Sequence, residues 1–150
     1  MHNLVRTQQI PLPRREVFAF FADPHKLELL TPPWLRFRIL SVSTPTVESG
    51  TEINYRLRVR GVPMRWKALI ERFEPEEEFI DLQLHGPYAY WRHQHLFRDC
   101  PGGTLVTDKV EYALPLGPLG EVAHSLLVRR DLERIFNFRQ EALSRHLLGA

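Results

Sequence analysis

The first stretch of the chain, His2 to Ile10, carries no long helical period and ends at Pro11, which predicts a strand. Pro13 then sits where a first helical turn tolerates it. Glu16, Val17, Phe18, Phe20 and Phe21 follow as a short aromatic-rich helix. Asp23 is placed to cap a second short helix over Pro24 to Leu30, and Pro32-Pro33 stops it. Beyond that point the period becomes two. Phe37 and Ile39 alternate with Arg36 and Arg38. Ile53, Tyr55, Leu57 and Val59 alternate with Glu52, Asn54, Arg56, Arg58 and Arg60. Met64, Trp66, Ala68 and Ile70 alternate with Arg65, Lys67, Leu69 and Glu71. Such half-buried strands, joined at Ser49-Gly50 and at Gly61, predict an antiparallel meander.

Further strands are expected over Phe79 to His85, Tyr88 to Arg98 and Thr104 to Leu114, broken at Gly86-Pro87 and at Pro101-Gly102-Gly103. In Phe79 to His85 the residues Phe79, Asp81, Gln83 and His85 share one parity and Ile80, Leu82 and Leu84 the other, which leaves its inward face open. After Gly117-Pro118-Leu119-Gly120 the period returns to 3.6. Val122, Leu126, Leu132, Ile135, Phe136, Leu143 and Leu147 trace a helix of about 28 residues, roughly 42 Å at ~1.5 Å per residue. The expected fold is therefore α+β: a curved antiparallel sheet of about seven strands wrapped around a long C-terminal helix, with two short helices after the first strand. A sheet gripping a helix seldom closes completely, and the gap between them is a natural apolar pocket.

Composition adds exclusions. With 150 residues, 43% hydrophobic and 25% charged, the chain is read as a single domain over 1–150, and disordered, collagen-like and coiled-coil classes fall away. The longest apolar run, Val17 to Ala22, is far short of the ~20 residues a spanning helix needs. No apolar leader is visible at the start, and the lone Cys100 excludes an internal disulfide and a Cys-based zinc site. A cytoplasmic domain in a reducing compartment is the expectation. The net charge of +2 is mild. Arg36, Arg38, Arg56, Arg58, Arg60, Arg65 and Lys67 fall on one outward face, where solvation is the simplest reading and an anionic surface the alternative.

Candidate chemistry concentrates on two strands. Trp91, His93, His95 and Phe97 share the face expected to point inward, and Val106, Asp108, Val110 and Tyr112 form the inward set of the next strand. A turn over Cys100 to Gly103 sets Asp99 against Thr104 and pairs Phe97 with Val106, His95 with Asp108, His93 with Val110 and Trp91 with Tyr112; a slip of two residues would set Asp108 opposite His93 or Phe97 and keep the same inward parity. The same register sets Arg92 opposite Glu111. An inward carboxylate beside two imidazoles needs a charged partner, and it would raise a histidine pKa and hold the ring in orientation. His95, Asp108 and His93 are thus candidates for a satisfied structural cluster, for orienting a ligand, or for acid/base work. The His-x-His spacing could also serve a metal, with Asp108 or His85 as further ligands, but no metal site is assigned. Arg129, Arg130 and Arg139 on the long helix are read chiefly as solvated or ion-paired, with contact to an anionic ligand the alternative. Neither a Gly-rich phosphate loop nor a Ser nucleophile elbow is present.

The order of elements resembles the START-like, or Bet v 1-like, helix-grip superfamily over nearly the whole chain. The stretch PLPRREVFAFFADPHKLELLTPPWLRF is similar to the opening of polyketide cyclase/dehydrase-type SRPBCC domains. LHGPYAYWRHQHLF, GGTLVTDKVEYALPLGPLG and VRRDLERIFNFRQEAL resemble a bacterial ligand-binding SRPBCC subgroup, which also looks like the piece fused to sugar-nucleotide epimerase-like proteins. The resemblance implies a hydrophobic-ligand cavity between the sheet and the last helix, with lipids, quinones or polyketides as ligand classes. Catalytic residues differ between branches, so none carries over. Tyr55, Trp66, Trp91, His93, His95, Asp108, Tyr112, Leu132 and Phe136 are expected around the gap. The expected partner is a small hydrophobic ligand, with no cofactor and no stable nucleic-acid partner. Transient membrane contact is left open, as is the choice between monomer and homodimer. A polyketide cyclase/dehydrase-like enzyme using His95 and Asp108 is the alternative function.

Overall fold

A computed structural model describes residues 1–148, apart from the side chain of Ser125. The chain runs β1 (His2–Ile10), α1 (Arg14–Ala22), a 3-10 turn (Pro24–Lys26) leading into α2 (Leu27–Leu30), and a second 3-10 turn (Pro33–Leu35). Six strands follow: β2 (Arg38–Val42), β3 (Glu52–Val59), β4 (Val62–Glu74), β5 (Glu78–His85), β6 (Tyr90–Cys100) and β7 (Gly103–Ala113). The C-terminal helical stretch comprises α3 (Pro118–Ala123), a π turn (His124–Val128) and α4 (Arg129–Leu148). The sheet is antiparallel throughout, in the order β1-β7-β6-β5-β4-β3-β2. The expected long helix is therefore interrupted by a π turn, and its buried face is shorter than the periodicity indicated. Val122 and Leu126 are 57% and 68% exposed, whereas the buried stripe runs Leu132, Phe136, Arg139, Leu143.

Local chemistry accounts for the joints. Asp23 Oδ1 accepts the His25 amide at the entry to the 3-10 turn. Arg60 and Gly61 both hold positive φ between Val59 and Val62, the conformation a two-residue hairpin of matching twist requires. Gly103 starts β7 where any Cβ would collide with the Ile10 carbonyl, so β1 closes on β7 only because the side chain is missing.

Apolar packing falls into layers along α4. Near its start, Leu132 and Phe136 pack with Leu57, Trp66, Ala68, Trp91, Val110 and Tyr112 from the inner sheet face. Toward its end, Ala142 and Leu143 pack with Phe20 and Leu30. Val17 and Phe18 of α1 meet Ile10, Phe79, Phe97 and Val106. The two short helices thus plug one end of the space between sheet and α4. Trp34 is 47% exposed and lies against Phe138 and the Arg134 guanidinium.

Candidate functional site

A polar belt crosses the interior between these apolar layers. It falls at one level of three elements: His93 and His95 between Trp91 and Phe97 on β6, Asp108 between Val106 and Val110 on β7, and Arg139 between Phe136 and Leu143 on α4. The β6–β7 register pairs His95 with Asp108 and Trp91 with Tyr112, as the turn and parity predict. Side-chain bonding nevertheless departs from that register. The short contact of Asp108 is Oδ1 to His93 Nε2 at 2.8 Å, while His95 Nε2 donates to Asp81 Oδ2 at 2.7 Å. His95 and Asp108 approach only to 3.4 Å, through Nδ1.

Asp81 comes from the strand whose inward face the sequence left open. Pairing with β6 runs without a shift from Glu78 to Leu82, so Phe79 and Asp81 share one face by simple alternation, while Ile80 on the other face is buried as well. Asp81 then turns inward opposite His93. Arg139, expected to be solvated or ion-paired but not expected at the gap, is buried and paired with Asp108, and it continues the Leu132–Phe136–Leu143 stripe at helical spacing. Its Nη2 lies 3.5 Å from Asp108 Oδ1 and 3.3 Å from His95 Nδ1.

These contacts fix a tautomer. Arginine only donates, so His95 Nδ1 accepts and Nε2 carries the proton given to Asp81. Burial, reinforced by the neighbouring His93, presses the His95 pKa down to about 4. This overturns the expectation that a carboxylate would lift it, since desolvation outweighs the Asp81 contact. Burial is the largest single influence and pushes both carboxyls up, but their partners together hold them below the usual carboxylate range. For Asp108 these are the Arg139 charge and the His93 hydrogen bond; for Asp81 they are the His95 hydrogen bond and the His93 charge. Aromatic rings hold the belt: Phe79 stacks on His95 at 4.0 Å, and the Arg139 guanidinium lies 5.1 Å over Phe21.

Asp81, His93 and His95 bring potential metal-ligand atoms within 4.8 Å of one another. The two imidazoles, however, are stacked 3.7 Å apart and only 24° from parallel. An ion in the plane of one ring then lies off the plane of the other, so this arrangement suits an ion-paired network better than a shared metal. His85, the further ligand considered from sequence, is exposed at the end of β5 and outside the group. His2, Glu121 and His124 form a second such group, again with stacked imidazoles, 3.5 Å apart.

The belt borders a two-chambered cavity. An outer chamber of about 610 Å³ lies between sheet and α4, with Leu57, Tyr88, Leu132 and Phe136 on its walls. An inner chamber of about 150 Å³ reaches toward α1 and α2, walled by Phe20, Phe21, Ala68, Asp81 and His95 among others. Tyr55, Trp66, Trp91, His93 and Arg139 face both. Of the expected gap residues, Tyr55, Trp66, Trp91, His93, His95, Leu132 and Phe136 are walls. Asp108 and Tyr112 stand outside the described linings: Asp108 behind His93, and Tyr112 bonded through its hydroxyl to His124 at 2.7 Å.

Comparisons with known proteins agree with this geometry. No curated protein matches the chain in sequence. A structure described as a START superfamily protein from Mycobacterium smegmatis matches with a TM-score of 0.70 and 13% identity, over 97% of this chain and 99% of that one. Protein Ms6760 from the same organism matches at TM-score 0.73 and 17% identity, over 98% and 91%. A nucleoside-diphosphate sugar epimerase from Corynebacterium glutamicum matches at TM-score 0.69 and 24% identity, over 96% of this chain but 29% of its own. These likenesses establish the helix-grip fold. The family model for polyketide cyclase / dehydrase and lipid transport matches residues 10–138, and the chain belongs to that family.

Proposed function

We propose that the domain binds a small hydrophobic or amphipathic ligand, lipid-, quinone- or polyketide-like, between the sheet and α4. The observation that carries this reading is an aromatic-walled cavity that ends on one buried polar belt. Apolar walls with few convergent polar groups are the usual design of a small-molecule site. In this reading the outer chamber takes the apolar body and the belt orients one end. Native mass spectrometry of protein purified from its own host, followed by organic extraction, tests it. A stoichiometric apolar species is expected. Empty protein that also fails to bind the neutral probe N-phenyl-1-naphthylamine would overturn it.

A second reading, acid/base catalysis of the cyclase/dehydrase type, is favoured by the Asp108–His93 contact. A carboxylate that fixes an imidazole is the ordinary way to set up a general base. Here the candidate base is His93 rather than His95, because both His95 ring nitrogens are engaged, whereas His93 Nδ1 stands 3.9 Å from Asp81 Oδ2. Turnover of an extracted ligand, lost in His93→Asn with binding retained, would select this reading over simple carriage.

A further inference from the structure

Two of the groups facing both chambers carry buried N–H donors with no acceptor among the described residues: Trp66 Nε1 and Arg139 Nε. Both side chains are more than nine-tenths buried, Trp66 at 7% exposure and Arg139 at 8%. Elsewhere the belt is well paired. Arg139 Nη2 faces Asp108 and His95, and each carboxylate meets an imidazole. The unmet capacity is therefore of one kind, donors without acceptors, and it belongs to two residues that wall both chambers. A purely hydrocarbon ligand would leave both donors desolvated and unpaired, which discriminates against it.

Charge narrows the acceptor further. The fixed charges of the belt are two carboxylates, Asp81 and Asp108, against one guanidinium, Arg139. A carboxylate ligand would bring a third negative charge into this buried group. A ketone, ester or quinone oxygen supplies lone pairs without that charge.

We infer that the cavity selects ligands bearing a neutral carbonyl oxygen, received by the Trp66 indole N–H and the Arg139 Nε–H where the chambers meet. This rests on the cavity being the ligand site, and the test separates the two ideas. Three near-isosteric probes, 2-acetylnaphthalene, 2-isopropenylnaphthalene and 2-naphthoate, are titrated against the intact protein by calorimetry. The ketone is expected to bind about tenfold more tightly than the hydrocarbon, the factor one buried hydrogen bond supplies, and more tightly than the carboxylate. Trp66→Phe removes the indole N–H together with part of the wall, so affinity for both probes can shift, but the ketone–hydrocarbon gap should narrow. Arg139→Lys keeps a cation toward Asp108 but loses Nε–H, and should narrow the gap likewise. The infrared carbonyl band of bound 2-acetylnaphthalene should lie below its position in hexane and move back in Trp66→Phe, a readout independent of affinity. Equal affinity for ketone and hydrocarbon overturns the inference while leaving the cavity reading intact. So does tightest binding of the naphthoate, or a gap unmoved in Trp66→Phe. Failure of all three probes to bind overturns both.

Discussion

His95 holds no spare valence: one ring nitrogen donates to Asp81, the other accepts from Arg139, and its face lies on Phe79. Such a ring is stable only while neutral, and its pKa near 4 in the folded protein falls well below the ~6.5 of an unfolded chain. Between those values the unfolded chain holds a proton that the native protein does not, so stability must fall as pH drops from about 6.5 toward 4. Below the unfolded carboxylate range, protonation of Asp81 and Asp108, both held low in the native state, adds a further loss. Urea unfolding across this range should show His95→Gln with a shallower slope than the native protein between pH 6.5 and 4.5. Parallel slopes would mean that His95 is not the neutral, buried group described. At this scale the sequence was partly legible. Parity placed His93, His95 and Asp108 inward, but which imidazole bonds which carboxylate depends on rotamers and on a guanidinium arriving from a helix 44 residues away. No pattern within two strands contains that information.

Among elements, the meander of β2, β3 and β4 presents Arg38 opposite Arg56 and Arg56 opposite Arg65, all exposed on the outer face. Like charges set directly across strands oppose pairing, so this ladder weakens the edge of the sheet it belongs to. Lys67 nearby escapes the problem by pairing with Glu52 at 2.9 Å. Arg56→Glu would convert both repulsive contacts into attractive ones. It should stabilise the protein by about 0.5 kcal/mol in low salt, an exposed pair being heavily screened, with the gain shrinking in 1 M NaCl. Chemical denaturation at the two salt concentrations measures it, and a salt-independent change would show that the effect is not electrostatic. The alternation that exposes these arginines was plain from sequence because each strand has one buried and one wet face. The strand that defeated it, β5, keeps its period of two along β6, but Phe79 and Ile80 on opposite faces are both buried, so hydrophobicity does not mark the inward one. The π turn was hidden for a related reason. Val122 and Leu126 fit a helical stripe, but the chain places them on solvent before α4 meets the sheet.

For the molecule as a whole, a sheet of seven strands closes on one helix except where large rings and a polar belt prevent it, and the cavity is that remainder. The gap could be foreseen from the ratio of sheet to helix; its division into chambers could not, because the inner one depends on how α1 and α2 plug the end. Ala68 marks the dividing consequence. It is 3% exposed, lies beside Ile53 in the register, and walls the inner chamber only. Ala68→Leu adds three carbons directed at that space. Filling a void restores contacts that the lining otherwise lacks, so the variant should retain native stability to within about 1 kcal/mol or exceed it. If the ligand reaches inward to the belt, the same substitution should weaken binding of N-phenyl-1-naphthylamine by about tenfold, the ordinary cost of a methylene-scale clash in a closed pocket. Stability kept and affinity lost would separate the requirements of folding from those of binding at a single residue. Affinity unchanged would confine the probe to the outer chamber, and the belt would then act on the fold rather than on the ligand.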